Sequence, residues 1–501
     1  MDNQFTSRLL SEDVTPENLE ILELKTIRTK EDPQSDDERV KKLEKEYENF
    51  DKKKDHLKAF GCLEKILLLE PNSYFGFLRE GDIFHHFERN EEALKSYEKC
   101  IELNRKDGRA HNNMGNVFYD KGQLEKARKC YEESNKHDPT SPIGWANLGD
   151  TLHDLGQREK AIECYNKAIK RNEKWINALY GKAWALHDLQ QHKEAIKCFI
   201  KTIKIDPKFA GAWNGKGHSL FRLDQHKKAI KCYDKAIKFD KKGKYPWNNK
   251  GNALSALHQP KKAKECYDEA IKIDKKWKLP FFNNGIVLTD LGQYKKAIEC
   301  YDEVINLDKK WKAPLCNKGD VLQRKLGQLK KAKECYRKSV KIHPQNANDW
   351  WMDGICFYKL SQYRKAIKCY DKAIEMNPKN MDAKFAKAFT LTAKLSKHDA
   401  AIKCYNEVLE ISPNHSMTLN NIGWTYHQQK KYTKAIPFYD RSIKQDKKNV
   451  HAWNSKAVTL YKLKKYPQAL ICCKKAVKLG TKDKETLSCF EKIKTKLNKP
   501  S

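Results

Sequence analysis

The chain has 501 residues, a third of them charged and 39% hydrophobic, with a formal net charge of +34. This hydrophobic content is enough for a packed core, so the high charge does not indicate a disordered chain. No apolar run approaches the ~18 residues of a membrane span and no secretory signal is visible. We therefore expect a cytoplasmic protein, a prediction that leaves the cytoskeleton, the cilium and the nucleus open.

Residues 1–39 differ in composition from the remainder of the chain. They contain eleven acidic residues against five basic ones, a net charge of −6, which leaves +40 on residues 40–501. The segment EDPQSDDE is typical of a linker, and PENLEILELKTI is expected to form a short helix. The sequence predicts an acidic N-terminal arm that is partly disordered or extended.

Residues 40–483 are built from a repeated segment. The stretch AIKCYDKAI occurs twice, at 229–237 and 366–374, and its near-copies recur at steps of 34 residues, with two steps of 35. A fixed period in this range indicates one supersecondary unit copied along the chain. Twelve repeats begin at residues 74, 108, 142, 176, 210, 244, 278, 312, 347, 381, 416 and 450, and a degenerate one precedes them at 40–73.

Each repeat is predicted to be a pair of amphipathic helices joined by a short turn. In residues 141–175, Trp145, Leu148 and Leu152 lie at helical spacing, as do Ala161, Tyr165 and Ala168, and the segment LGQREK separates the two sets. The pattern W-x2-L-G-x2-L…A-x3-Y-x2-A resembles the tetratricopeptide repeat family. This resemblance implies an all-α, right-handed solenoid of 12–13 helix pairs, and residues 484–501 are predicted to supply a capping helix and tail.

Positions within a repeat are counted from its first residue, which is position 1. Positions 8, 20 and 23 are predicted to be structural. Position 8 is glycine or alanine, which we expect to allow close contact with the alanine at position 20 of the second helix. Position 23 is cysteine in nine successive repeats, from Cys130 to Cys404. A small, weakly polar side chain suits a tight contact between helices, and thiols one repeat apart are too distant for disulfides. Two histidines at position 12, His153 and His187, are predicted to be exposed polar residues.

Nothing in the sequence indicates catalysis, a cofactor or a metal site. There is no C-x-x-C, no phosphate-binding loop, no nucleophile elbow and no HExxH, and once the repeats are subtracted no segment remains for an enzyme domain. The arrangement resembles the repeat half of the O-linked N-acetylglucosamine transferase without its catalytic half. We therefore expect a chain that is not an enzyme and binds no small-molecule substrate.

The first helices are predicted to line a concave groove that binds an extended peptide or a helix. Asparagine is frequent at position 6, and its amide can both donate to and accept from a peptide backbone. The resemblance to the transferase implies an asparagine ladder of this kind, with aromatic side chains as pockets. The candidate groove residues are Asn113, Asn147, Asn249, Asn283, Asn317, Asn421, Asn116, Asn252, Trp184 and Trp424.

The second helices and the loops between repeats carry most of the positive charge. Residues 225–244 contain eight lysines against two aspartates. Such a surface attracts acidic polymers, here a microtubule surface or nucleic acid, although lysine is also a common solubilising residue on helix surfaces. The candidate basic surface comprises Lys227, Lys228, Lys241, Lys242, Lys244, Lys275, Lys276, Lys309 and Lys310.

These features favour a non-enzymatic interaction scaffold. Its groove would bind a protein partner and its basic convex face would dock onto an acidic assembly, of which a ciliary or cytoskeletal one is favoured. Two alternatives remain open at this point. One is a nucleic-acid-associated factor, because amide and aromatic side chains on one helix per repeat also suit RNA. The other is a regulatory subunit that presents substrates to an enzyme in trans.

Overall fold

A computed structural model describes residues 36–497 of the chain. These residues form twenty-seven α-helices and, within the described range, no β-strand. The predicted all-α solenoid is therefore confirmed. The chain divides into two compact units, Met1–Ala253 and Leu254–Ser501, called below the N-terminal half and the C-terminal half.

The helices of the N-terminal half follow one another as antiparallel pairs of short helices. Helix α13, which spans the boundary between the two halves, is given with them. From α3 onward in this half, the first helices of the pairs are 13 residues long and the second helices are 14. The bounds are α1 Asp36–Lys52, α2 His56–Leu69, α3 Tyr74–His86, α4 Asn90–Leu103, α5 Gly108–Asp120, α6 Leu124–His137, α7 Pro142–Asp154, α8 Arg158–Arg171, α9 Ile176–Asp188, α10 His192–Ile205, α11 Ala210–Arg222, α12 His226–Phe239 and α13 Lys244–Ala256.

The C-terminal half continues the same alternation and ends in a single helix. Its helices are α14 Pro260–Ile273, α15 Lys278–Asp290, α16 Tyr294–Leu307, α17 Lys312–Arg324, α18 Leu329–Lys341, α19 Ala347–Lys359, α20 Tyr363–Met376, α21 Met381–Leu395, α22 His398–Ile411, α23 Ser416–Gln428, α24 Tyr432–Gln445, α25 Val450–Lys462, α26 Tyr466–Lys478 and α27 Lys484–Leu497. Helix α27 packs on α25 and α26, where Cys489 and Ile493 complete the last core cluster.

Twelve helices begin at the residues where the sequence period places the start of a repeat, from Tyr74 to Val450. Helix α1 begins at Asp36, so the last four residues of the predicted acidic arm are helical. The rest of that arm, residues 1–35, lies outside the described residues, as does the short helix expected in PENLEILELKTI. Residues 498–501 of the predicted tail lie outside them as well.

Two kinds of turn connect the helices, one within each helical hairpin and one between successive hairpins. Within a pair, the turn contains one residue in the left-handed region, which is glycine in four repeats, such as Gly156 with φ +78°. Between pairs, an aspartate or asparagine caps the end of the second helix and accepts a hydrogen bond from the N–H two residues later, as Asp240 does from Lys242 at 3.0 Å. This Asx turn uses Asp206, Asp274, Asp308 and Asp446 in the same way.

Two steps of 35 residues are absorbed at different places. Between α17 and α18 the turn has four residues, 325–328, where the α7–α8 turn has three, 155–157. In the repeat that begins at Met381 the first helix lengthens to 15 residues, and Ser396 at φ 51° ends it. In both repeats the extra residue lies before the first turn of the second helix.

The core contact at position 8 differs from the expected one. A methyl group placed on Gly81 would lie 2.5 Å from Cε1 of Tyr97, and one on Gly285 would lie 2.6 Å from Cε1 of Tyr301. The nearest neighbour of this glycine is therefore the tyrosine ring at position 24, whereas the sequence predicted a contact with the alanine at position 20. That tyrosine is among the largest fully buried side chains in ten repeats of the described chain, from Tyr97 to Tyr439.

The cysteines at position 23 lie at helix contacts. Seven of the nine are buried, and Cys130 and Cys300 are half-buried. Burial raises the pKa of Cys164, Cys300 and Cys369 to about 11. At neutral pH these thiols remain protonated, a state that suits a packing role.

Candidate functional site

The position-6 asparagines of the N-terminal half connect successive first helices. Nδ2 of Asn113 donates to Oδ1 of Asp82 at 2.8 Å, and Nδ2 of Asn147 donates to Oδ1 of Asn116 at 3.2 Å. In both cases the acceptor lies at position 9 of the preceding repeat. Asn147 also donates to Asn112 at 3.0 Å. The candidate asparagines therefore form part of a hydrogen-bond network between repeats.

Buried tyrosines extend this network into the core. The hydroxyl of Tyr97 donates to Oδ1 of Asp82 at 2.9 Å, and that of Tyr131 donates to Oδ1 of Asn116 at 2.8 Å. Desolvation and the nearby carboxylate raise the pKa of Tyr97 far above its usual range, so it acts only as a neutral donor. One position-9 side chain thus joins a core tyrosine to an asparagine of the next repeat.

A second row of contacts runs along the far end of the first helices. The side chain at position 12 binds the aspartate at position 13 of the next repeat. His85 lies 3.0 Å from Asp120 and His153 lies 3.0 Å from Asp188 (ring nitrogen to carboxylate oxygen). The hydroxyl of Tyr119 donates to Asp154 at 2.5 Å. The first-helix surface of the N-terminal half is consequently polar and rich in aspartate.

The histidine at position 12 of the next repeat has a different environment. His187 is only 7% exposed, and its Nδ1 lies 2.9 Å from Oγ of Ser219 in the following repeat. The prediction that His187 is an exposed polar residue is therefore wrong: its ring packs among those of Trp184, His192 and His218. Desolvation, with His218 and His192 nearby, lowers the pKa of His187 to about 4.

The remaining candidate asparagines are also half-buried and engaged. Asn249 donates to Oδ1 of Asn214 at 3.1 Å, which repeats the contact that Asn147 makes with Asn112. Asn317 lies beside Tyr301 and Asn421 beside Tyr405, in each case the position-24 tyrosine of the preceding repeat. Oδ1 of Asn421 accepts a hydrogen bond from Asn420 at 3.4 Å. Asn252 and Asn283 are half-buried as well and make interactions of their own. The structure thus places all these side chains on first helices, with part of each accessible.

The aromatic candidates lie in two settings. Trp184 packs edge-on against the rings of Tyr180 and Phe199, with centroids 6.3 and 5.6 Å away. Trp424 lies nearly parallel to Phe389 at 6.4 Å, and Phe389 lies 6.2 Å from Tyr358. The row Tyr358–Phe389–Trp424 is half-buried and is called below the aromatic row.

The candidate basic residues lie at the starts of α12 and α13 and in the loops between repeats. Eight of the nine are exposed, and Lys244 is half-buried, with its ammonium 5.5 Å from the centre of the Tyr245 ring. The loop lysines directly follow the Asx residue of the turn, as Lys241 and Lys242 follow Asp240. This geometry directs their side chains away from the helix contacts.

The sequence did not single out two buried pairs between α17 and α19. Nζ of Lys312 lies 2.6 Å from Oδ1 of Asp353, with side chains only 1% and 4% exposed. About one helical turn further, Sγ of Cys316 lies 2.8 Å from Sγ of Cys356, and Oγ of Ser339 lies 3.3 Å from Cys316. The contact with Cys356 lowers the pKa of Cys316 despite its burial.

The sequence does contain a signal for the Lys312–Asp353 ion pair, and it lies at position 7 of the repeat. In four repeats a lysine at this position pairs with the aspartate at position 25 of the preceding repeat, as Lys318 does with Asp302. The repeat beginning at residue 347 has Asp353 instead. This reversal of charge at a regular position marks a different contact.

Within residues 36–497, no group of three or more histidine, cysteine or acidic side chains is arranged to hold a metal ion. No helix in that range is sufficiently long and apolar to cross a membrane.

Models of tetratricopeptide repeats match most of the array. The model described as TPR repeat matches residues 81–120 and 115–156. Two models described as tetratricopeptide repeat match 142–174, 176–209, 210–242 and 245–276, and 282–310. The model of the cytochrome c-type biogenesis protein H TPR domain matches 328–442.

Solved structures of low sequence identity resemble the chain. The APC/C hetero-tetramer Cut9–Hcn1 matches at 12% identity, covering 91% of this chain and 96% of that one, with a TM-score of 0.49. Yeast Tom70 matches at 14% identity, covering 85% and 96%, with a TM-score of 0.43. MamA matches at 22% identity over 34% of this chain and 92% of its own, with a TM-score of 0.31. Among curated protein sequences, none matches.

Proposed function

The chain belongs to the tetratricopeptide repeat family, and from that membership we propose that it is a non-enzymatic scaffold that binds protein partners along its first helices. The observation that carries the proposal is the aromatic row of the C-terminal half. Tyr358, Phe389 and Trp424 lie on first helices, remain half-accessible, and contact one another ring to ring. Aromatic side chains that are partly exposed and rigidly placed are the usual anchors of protein interfaces.

The asparagines support the same proposal in a secondary role. A side-chain amide has two N–H donors and an acceptor with two lone pairs, so a contact to the preceding repeat uses only part of its capacity. Asn113 and Asn147 in the N-terminal half, and Asn317 and Asn421 in the C-terminal half, are each half-accessible. Each would add a hydrogen bond to the backbone of an extended peptide.

The basic surface supplies the second part of the proposal, which is docking onto an acidic assembly. Exposed lysine pairs recur after the Asx turns, at Lys241–Lys242, Lys275–Lys276 and Lys309–Lys310. We favour a cytoskeletal or ciliary assembly over nucleic acid, because all nine candidate residues are lysines. Lysine is a flexible point charge that suits acidic peptide tails, whereas arginine predominates where planar groups are recognised.

The test is quantitative affinity purification of the parent and two variants from the organism's own extract. Phe389→Ser/Trp424→Ser should lose a defined set of bound proteins, because it removes two anchors of the aromatic row. The matched control Phe87→Ser changes a 43% exposed ring outside the row. Both variants are first checked for parent-like helical content. If the row variant retains every protein that the parent binds, the proposed function is wrong.

A further inference from the structure

A groove in the last two complete repeats combines an apolar floor with a basic rim. It has a volume of ≈ 650 Å³ and is lined by residues of α24, α25, α26 and the loop between α24 and α25. Its floor includes Ile443, Ile471 and the ring of Trp453, whose Nε1 donates to the carbonyl of Lys447 at 3.1 Å. Ile471 is 65% exposed, far more than a core isoleucine.

The rim carries five exposed lysines, Lys444, Lys447, Lys474, Lys475 and Lys478. Among the described residues none of the five takes part in an ion pair, and the single acidic residue of the lining, Asp440, is already paired with Lys456. The ammonium groups therefore leave an uncompensated positive field around the apolar floor. A charged partner that fits this groove must be anionic.

Ile471 differs from the residue type that most repeats have at the same position. Ile471 occupies position 22, on the exposed side of the second helix. The ten repeats that begin at residues 74 to 381 have a charged residue there: Lys95, Lys129, Glu163, Lys197, Lys231, Glu265, Glu299, Glu334, Lys368 and Lys403. Solubility therefore does not account for isoleucine at this position, because a charged side chain is the normal occupant.

The positive charge of the rim also distinguishes this groove from the equivalent place one repeat earlier. One repeat earlier, the residues that correspond to the groove lining include two acidic and two basic side chains, so their charges cancel: Glu410, Asp440, Arg441 and Lys444. Of these two neighbouring places, only the α24–α26 groove combines an exposed isoleucine with five unpaired lysines. It deepens the basic-surface part of the proposed function, on which it rests, by giving one docking place and its chemistry.

We propose that the α24–α26 groove binds an acidic peptide segment of a partner protein, with an aliphatic side chain of that segment seated on Ile443 and Ile471. Residues 471, 474, 475 and 478 lie on one face of α26 by helical spacing, so the isoleucine is followed directly by three ammonium groups. Carboxylates on either side of the aliphatic residue would then meet the lysine rim. Nucleic acid would use the rim and leave the isoleucines in water, which makes it the weaker match.

The test measures binding of a fluorescent peptide, GEEDELELDEEG, to the full chain by anisotropy. Its companion GEEDESESDEEG has the same charge without the leucines. The leucine peptide should bind the parent about tenfold more tightly than the serine peptide, the gain expected for burying an aliphatic side chain. Ile471→Ser should remove this difference while leaving binding of the serine peptide unchanged.

Charge variants separate the groove from the general positive field. Lys474→Glu/Lys475→Glu should weaken the leucine peptide by about tenfold or more at low salt and by less at high salt. The matched control Lys330→Glu/Lys331→Glu makes the same change of net charge at two exposed lysines at the start of α18, outside the groove and the candidate basic surface, and should alter binding by less than about twofold. Equal losses in the two variants would assign peptide binding to the general positive field, which refutes the groove and leaves the proposed function standing.

Four results would overturn the groove proposal. The first is equal binding of the two peptides to the parent, and the second is an equal loss in the Lys330/Lys331 control. The third is tighter binding of a 12-nucleotide single strand that depends on Lys474 and Lys475, which would assign the rim to nucleic acid. The fourth is a dimeric parent that becomes monomeric with Ile471→Ser and binds neither peptide, which would make the groove an interface between copies of the chain.

Discussion

The two halves of the molecule use the same helix pair to present different first-helix surfaces. In the N-terminal half that surface is a row of polar contacts between repeats, in which His85, Tyr119 and His153 each bind an aspartate of the next repeat. In the C-terminal half the aromatic row occupies the corresponding side, and a buried ion pair joins α17 to α19. Because each repeat contacts mainly its neighbours, such differences arise by local substitution without changing the fold.

The largest expected effect is at the ion pair found in the C-terminal half. Lys312→Met leaves the Asp353 carboxylate buried without its cation, and burial already raises its pKa. The loss of stability should be about 3–5 kcal/mol. Lys318→Met removes the more exposed pair with Asp302 and should cost only about 0–1 kcal/mol. Urea unfolding monitored by circular dichroism measures both.

Equal losses in the two lysine variants would mean that burial does not distinguish these pairs. The double change Lys312→Met/Asp353→Leu gives a further check, since replacing both partners by apolar groups should restore most of the stability.

The fold could be predicted from the sequence because each repeat carries two kinds of signal, one in its turns and one in its helix contacts. The turn residues, such as Gly156 and Asp240, specify each hairpin locally, and the small residue at position 8 specifies how its helices meet. The side chain that contacts this small residue could not be predicted from the sequence, because the alanine at position 20 and the tyrosine at position 24 lie on the same face of the second helix. Only the three-dimensional structure shows that the Tyr97 ring covers Gly81.

The candidate surfaces were predicted less completely. Helical spacing placed Asn113 and Asn147 on the first-helix surface, yet their acceptors, Asp82 and Asn116, belong to the preceding repeat. A contact across 31 residues depends on the stacking distance between repeats, which spacing within one helix does not contain. The burial of His187 escaped prediction for the same reason, because side chains of the next repeat, such as Ser219, enclose it.

The second prediction concerns pH and the N-terminal half. The pKa of His187 is about 4 when folded, against an ordinary 6.5, so the unfolded chain binds the proton first. Stability that is present above pH ~6.5 should fall as pH drops toward ~4, by about 3 kcal/mol in total. Desolvation, followed by Arg222, also lowers the pKa values of His192 and His218, which act in the same direction, whereas Asp188 opposes the shifts of His187 and His218.

Hydrogen exchange at α9 and α11, followed between pH ~7 and pH ~4, measures this loss locally. His187→Gln should flatten the pH dependence, whereas the control His153→Gln, at the same position of the preceding repeat, should leave it steep. An unchanged slope in the His187 variant would assign the acid sensitivity to other groups.

The third prediction treats a contact that the halves share. Gly149→Leu and Gly285→Leu each force a side chain into the ring of Tyr165 or Tyr301 and should destabilise by about 1–3 kcal/mol. Gly61→Leu enters open space and should cost less. Hydrogen exchange should show each disturbance confined to the altered repeat and its neighbours. Uniform opening along the chain would contradict nearest-neighbour stability.

The smallest effect is expected at the position-23 cysteines. Cys232→Ala and Cys369→Ala should each cost about 1 kcal/mol, because a small buried side chain leaves a small cavity. Burial raises the pKa of both thiols, so their reaction with an aromatic disulfide reagent in the folded protein should be slow in both halves. Rapid modification of either thiol without unfolding would show that packing is not its role.

The central claim is that the chain binds protein partners along its first helices with the aromatic row as the anchor, and cross-linking mass spectrometry of the chain with its purified partners tests it most directly. We expect a partner whose cross-links lie near Phe389 and Trp424 and are lost in Phe389→Ser/Trp424→Ser. Cross-links that avoid the first helices, or that persist unchanged in that variant, would contradict the account.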